Sequence, residues 1–250
     1  MTSVVLSGRR GGTTHQSIEL LATLPPELRL IGGLAVMCRV GTPHRATVDL
    51  DALARGLAGV HVDLAALAVS APGGGQYTFD GDLELDVIDV SPDPVDALVS
   101  ELGWPDVQLS DLELNVVAHC WAHDTATPLD LVAADELDGT RLAAAPGRYV
   151  ASALGLVTMK STTVPLRASA KPEKRASDLY DLGRLIETGA LNGGLSTLHE
   201  ALRTVVAERL HGWFVEDRGR DRTFRDVRRF DDPALDFDDV SDLLERAIAR

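Results

Sequence analysis

The sequence predicts an α/β (α+β) fold: a core built on a mixed sheet, followed by a helical C-terminal region. Three observations carry this. Short alternating or β-branched segments, punctuated by glycine and proline, crowd the first half. Four segments with helical spacing of apolar residues occupy the second. The 250 residues, 45% of them hydrophobic, supply ample apolar material for one large domain or two small ones.

Taken in order, residues 1–12 are rich in Gly, Ser and Arg and are expected to fray. His15 to Leu24 reads as a helix stopped by Pro25-Pro26. Leu28 to Ile31 is a short apolar strand broken by Gly32-Gly33, and Leu34 to Val40 a buried helix ended by Gly41. Ala46 to Leu50 alternates and reads as a strand, with Asp51 to Gly59 helical after it. Residues 70–82 hold turn signals, Pro72-Gly73-Gly74-Gly75 and Asp80-Gly81-Asp82. Leu83 to Val90 is a further strand, and another is expected near Leu112 to Ala118. Helices are expected at Ala151 to Lys160, Ala176 to Thr188, Ser196 to His211 and Ser241 to Arg250. The domain boundary is placed near residue 130, with a core over 1–130 and a mainly helical region over 131–250 that completes the active site.

Composition excludes several classes. No apolar run approaches the ~20 residues needed to span a bilayer, and the first ten residues lack the apolar core of a secretory signal. Two cysteines, Cys38 and Cys120, do not make a disulfide framework, so a reducing cytoplasm is expected. A formal net charge of -14 argues against broad non-specific nucleic-acid binding. It leaves room for an RNA held by a local basic patch.

The chemistry concentrates between Leu28 and Asp51. A strand ends at a glycine pair, a helix follows, and a second strand carries Asp49-x-Asp51. Glycines at such a corner let a phosphate approach backbone N–H groups, and the following helix N-terminus favours an anion. Residues i and i+2 of a strand share a face, so Asp49 and Asp51 repel each other unless a divalent cation relieves them. Mg²⁺ takes hard oxygen ligands, commonly one or two carboxylates plus substrate phosphates. A third carboxylate on a neighbouring strand completes a clamp for nucleotidyl transfer. Asp86 and Asp89 compete for that place, and their opposite parity lets a regular strand present only one of them.

Gly32-Gly33-Leu34-Ala35 followed by Arg45-x-Thr47-x-Asp49-x-Asp51 resembles the first motif of the nucleotidyltransferase superfamily. More narrowly it resembles the AbiEii-type group, the toxin half of type IV toxin–antitoxin systems. Leu156-Val157-Thr158-Met159-Lys160 is similar to that group's lysine-bearing helix. Arg175-Ala176-Ser177-Asp178-Leu179-Tyr180-Asp181-Leu182 is similar to its Arg-x-x-Asp-x-x-Asp-Leu motif. The resemblance runs from residue 28 to 187; Ser177 departs from a lysine common there.

The resemblance implies a nucleotidyltransferase core and a set of roles. Gly32 and Gly33 would sit against the triphosphate, with Arg45 and Thr47 beside the nucleotide. Asp49, Asp51 and Asp86 would bind Mg²⁺ or Mn²⁺, Asp86 being favoured because it precedes Val87-Ile88. Lys160 would contact the nucleotide phosphates, and Asp178 would act as a base or orient Lys160. The implied reaction moves NMP from an NTP to an acceptor hydroxyl, with a tRNA 3′ end as acceptor and an antitoxin bearing a DNA-binding domain as partner. Two other readings stay open: transfer to a small molecule such as an aminoglycoside, and a non-catalytic nucleotide-binding module.

Other candidates have plainer explanations. His119, Cys120 and His123 carry a helical metal spacing, yet core packing around Trp121 accounts for them. Ser161-Thr162-Thr163 lacks a paired base and fits a helix C-terminus or loop. Asp181 is expected to cap or pair with Arg184. Arg45 serves a substrate phosphate or pairs with Asp51. The run Arg218, Arg220, Arg222, Arg225, Arg228, Arg229, interleaved with acids and Phe214, Phe224 and Phe230, fits either a salt-bridged surface or an RNA contact.

Overall fold

The computed structural model describes residues 2–42, 49–167, 171–230 and 233–249. The chain forms two units, Met1–Pro92 with Thr125–Ser152, and Asp93–Asp124 with Ala153–Arg250. The expected boundary near residue 130 falls inside a strand of the first unit.

The first unit holds one eight-stranded mixed sheet in the order β1-β7-β8-β2-β3-β6-β5-β4. Its strands are β1 (Thr2–Gly8), β2 (Arg29–Ile31), β3 (Asp49–Arg55), β4 (Ser70–Gly73), β5 (Gln76–Phe79), β6 (Leu83–Val90), β7 (Thr127–Asp135) and β8 (Arg141–Val150). Helices α1 (Thr13–Thr23), α2 (Gly32–Val40) and α3 (Leu57–Leu67) complete it. One face of the central strands is apolar: Leu30, Leu50, Ala52, Leu85, Val87 and Tyr77 are all buried. Their neighbours in sequence point the other way.

Several local rules are visible. Pro25-Pro26 stops α1, and the buried Arg148 guanidinium donates to the Leu24 and Pro25 carbonyls at 2.9 and 3.0 Å, satisfying groups a helix end leaves open. Burial pushes the Arg148 pKa down. Gly41, at φ 83°, ends α2 in the left-handed conformation and returns its N–H to the Met37 carbonyl. Arg39 ties the end of α2 to the carbonyls of Val150 and Ala151 at 2.6 and 2.8 Å.

The structure corrects several expectations. Residues 2–8 are a strand rather than a frayed end, paired in parallel with β7, because Leu6 is wholly buried there. β3 runs on to Arg55, and the helix starts only at Leu57; Ala46 to Val48 lie outside the described residues. The turn-rich stretch 70–82 is a hairpin, β4–β5.

The second unit contains α4 (Val95–Glu101), α5 (Asp111–Asp124), α6 (Ala153–Arg167), α7 (Pro172–Glu187), α8 (Glu200–Phe214), α9 (Asp217–Val227) and α10 (Phe237–Ile248). The strand expected near Leu112 to Ala118 is instead part of α5. Leu114, Val117, Ala118 and Trp121 are buried at helical spacing, while Leu112 and Val116 are exposed. The long C-terminal helical run begins at Ala153, after β7 and β8, two strands that the sequence pattern does not announce.

Candidate functional site

In the first unit the carboxylates gather by register. β3 and β6 are parallel, with Asp51 opposite Asp86 and Asp49 opposite Glu84. Directly paired residues point to one face, so Asp49, Asp51, Glu84 and Asp86 share the face opposite the apolar one. Asp49, Asp51 and Asp86 are each half-buried. Asp89 is placed elsewhere: its Oδ1 accepts from the Gly56 and Leu57 N–H groups at 3.0 and 2.9 Å. It therefore caps α3, whose own N-cap residue, Gly56, has no side chain to do so.

Gly32 opens α2 beside these carboxylates, at φ +70°. A Cβ built there would lie 1.9 Å from Asp51 Oδ2. The space a side chain would fill is thus occupied by the Asp51 carboxylate. β2 and β3 set this up, since Ile31 pairs with Asp51 and the chain turns into the helix at the next residue. The first turn of α2 has no side-chain cap, so its N–H groups suit an anion. Gly33 is buried within the same turn.

These residues fit a divalent cation. The donors are hard carboxylate oxygens on one face, beside the start of α2, where a glycine leaves room for the Asp51 carboxylate. Among the described residues no group of three or more His, Cys, Asp or Glu side chains is gathered closely enough to hold a metal ion by itself. An open arrangement of this kind suits Mg²⁺, which keeps positions for water and substrate phosphate. Arg45 and Thr47 lie outside the described residues.

In the second unit α6 and α7 hold a buried ionic cluster. Lys160 Nζ donates to Asp178 Oδ1 and also contacts Asp181 Oδ2, both at 2.8 Å. Asp178 Oδ2 also pairs with Arg167. Asp178 and Asp181 are three apart and share one face of α7, with side chains 6% and 0% exposed. Two cations thus answer two carboxylates, which is what burial of charge demands. With both oxygens held by cations, Asp178 has the geometry of an orienter of Lys160. Asp181, expected to pair with Arg184, faces Lys160 instead, and Arg184 pairs with Glu187. The i+3 spacing of the two aspartates is the signal in the sequence that points to this arrangement.

The remaining candidates separate. His119 Nδ1 donates to the Asn115 carbonyl at 2.6 Å, and burial, with Arg167 nearby, holds the His119 pKa below its ordinary value despite that bond. Cys120 Sγ faces the Asp93 carbonyl at 3.4 Å, and His123 Nδ1 lies 3.2 Å from Asp124. The three engage different partners. Ser161, Thr162 and Thr163 lie inside α6 rather than at its end; Asn115 Nδ2 donates to Thr162 and Thr163.

The arginine run divides as well. Arg220 pairs with Asp238, Asp226 takes Arg175, and Arg229 donates to the Glu173 carbonyl at 2.7 Å. Phe230 stacks on Tyr180, and Phe224 meets Phe237 edge-on. Arg218, Arg222 and Arg225 are exposed along α9.

Residues 19–249 match the family model described as nucleotidyl transferase AbiEii toxin, type IV TA system. The match extends beyond residues 28–187 on both sides and leaves out β1. No curated protein and no solved structure matches significantly. The chain belongs to the AbiEii family of nucleotidyl transferase toxins of type IV toxin–antitoxin systems.

Proposed function

We propose that the chain transfers NMP from an NTP to a hydroxyl of RNA, with a tRNA 3′ end as acceptor. The observation that carries this reading is the in-register placement of Asp51 and Asp86, with Asp49 on the same face, beside the cradle at Gly32. Asp49, Asp51 and Asp86 would hold Mg²⁺ or Mn²⁺, and such an ion, when bound, offsets charge on the phosphoryl group in transfer.

The residues of the chain then divide the work. Backbone N–H groups at Gly32 and Gly33 receive the triphosphate. Arg45 and Thr47 stand beside the nucleotide, as the family motif implies. Lys160, oriented by Asp178 and Asp181, would contact the nucleotide phosphates, as the family resemblance implies. The acceptor oxygen forms its bond to the α-phosphorus while the bond to the bridging oxygen breaks. Pyrophosphate leaves with that electron pair, and the hydroxyl proton passes to solvent water.

The exposed Arg218, Arg222 and Arg225 on α9 would suit contact with an RNA backbone. The partner would be an antitoxin with a DNA-binding domain, and the compartment the cytoplasm. No helix among the described residues is long and apolar enough to cross a membrane.

The test is labelling of total tRNA by purified protein with Mg²⁺ and each radiolabelled NTP. Label should enter tRNA with the unaltered chain and vanish with Asp49→Ala. Label that persists in Asp49→Ala rejects the site. Calorimetry on the same pair separates a non-catalytic module, which would fail to bind Mg²⁺ and NTP together.

A further inference from the structure

We infer that Gln76, on β5, binds the acceptor end of the substrate, on the flank of the carboxylates away from the nucleotide. This rests on the proposed nucleotidyl transfer.

The position follows from register. Gln76 is paired with Asp86, and Thr78 with Glu84, so both lie on the carboxylate face. Tyr77 and Phe79 are buried on the other face, while Gln76 is exposed. Across that face the order is Ile31, Asp51, Asp86, Gln76. Neighbouring strands are about 4.8 Å apart, so Gln76 stands one strand beyond Asp86 and two beyond Asp51.

The approach of β5 is enforced. Gly75, at φ +82°, has room for no side chain: a Cβ there would lie 2.1 Å from the Val87 carbonyl oxygen. Its own carbonyl accepts from Val87 N–H at 2.8 Å. The glycine thereby seats the hairpin against β6 and holds Gln76 beside Asp86.

The chemistry follows from the in-line requirement. The attacking and leaving oxygens lie on opposite sides of the phosphorus. Gly32 and the start of α2 flank the carboxylates on the β2 side, where the triphosphate and hence the departing pyrophosphate belong. The hydroxyl must arrive from the opposite side, which is the β5 side. The group waiting there is a neutral amide with two donors and one acceptor oxygen. It suits the hydroxyls of a ribose and adds no charge to an already acidic face.

The experiment compares Gln76→Ala with the unaltered chain, varying total tRNA at saturating NTP and the reverse. The KM for tRNA should rise about tenfold, the scale of one lost hydrogen bond, while the KM for NTP and the melting temperature stay unchanged. A KM for NTP that rises in step places Gln76 on the nucleotide side and overturns the inference; so does a variant indistinguishable from the unaltered chain. An unaltered chain that transfers nothing removes the underlying reading and this inference with it, and is recognised because the failure precedes any substitution.

Discussion

The Asp51 carboxylate occupies the space that a side chain at Gly32 would need, with Oδ2 only 1.9 Å from the position of that Cβ. One residue is a glycine because the other is an aspartate pointing at it. Gly32→Ala should therefore displace Asp51 and impose a left-handed conformation on alanine, costing about 1–3 kcal/mol from strain. We expect at least ~100-fold loss of transfer, the scale of a misplaced reacting group. Labelling and thermal melts check this; an active Gly32→Ala protein would refute the cradle.

Asp86 and Asp89 are separated by opposite expectations. Asp86→Ala should abolish transfer and leave the melting temperature nearly unchanged, because the residue faces the carboxylate side of the sheet. Asp89→Ala should keep transfer and lose about 1 kcal/mol of stability, the usual cost of a helix cap. Urea titration with a parallel labelling assay reads both. The reverse pattern would exchange their roles.

The buried cluster on α6 and α7 makes a prediction about stability. Asp181→Ala removes one of the carboxylates that pair with the buried Lys160, and breaking a buried pair from one side costs about 3–5 kcal/mol. Asp181→Asn, which keeps the shape and a hydrogen-bonding group, should cost less. Denaturant midpoints distinguish them. Equal and small losses would mean that the cluster is well solvated in solution.

His119 should make the fold acid-sensitive. Above its ordinary value of 6.5 both folded and unfolded chains carry a neutral ring. As pH falls below that value the unfolded chain gains a proton that the folded one resists, so stability falls. The slope from this residue is at most about 1.4 kcal/mol per pH unit, and it should flatten in His119→Gln. Urea midpoints between about pH 5 and 7.5, the range in which histidine titrates, measure it; an unchanged slope in the variant would assign the effect to other groups.

Cys38 and Cys120 are both buried, and burial raises the Cys38 thiol to about 12. Neither should react with a disulfide reagent in the native state, and both should react once the chain is unfolded. A thiol that titrates at once would show an opening of α2 or α5.

Much of the candidate site's geometry was legible in the amino-acid sequence, because its parts are local. Gly32-Gly33 and Asp49-x-Asp51 obey short-range rules of turns and strand parity, and the alternation of Leu83 to Val90 marks β6 directly. What was missed depends on distant partners. β1 looks like a loose end until β7 is beside it. β7 carries Pro128, two alanines and two aspartates, and β8 three alanines and Pro146-Gly147, so neither has the composition of a strand. The stretch Leu112-x-Leu114-x-Val116 alternates like a strand although α5 buries only part of it. Asp181 has an obvious candidate partner on its own helix, but the partner it takes is on the preceding one.

The chain passes between its two units three times, at about residues 92, 124 and 152, and this bears on synthesis. β1 is made first, yet its neighbour in the sheet is β7, with Thr2 matched to Leu129. During translation β1 must wait on the ribosome until most of the first unit has emerged, while α4 and α5 appear before the helices they belong with. Units fold as they become whole, and here neither is whole early. A chain abandoned by a stalled ribosome before Val150 would hold Gly32 and all three carboxylates, yet neither the closed sheet nor Lys160. For a toxin, the physical consequence is that partial products are expected to be inert.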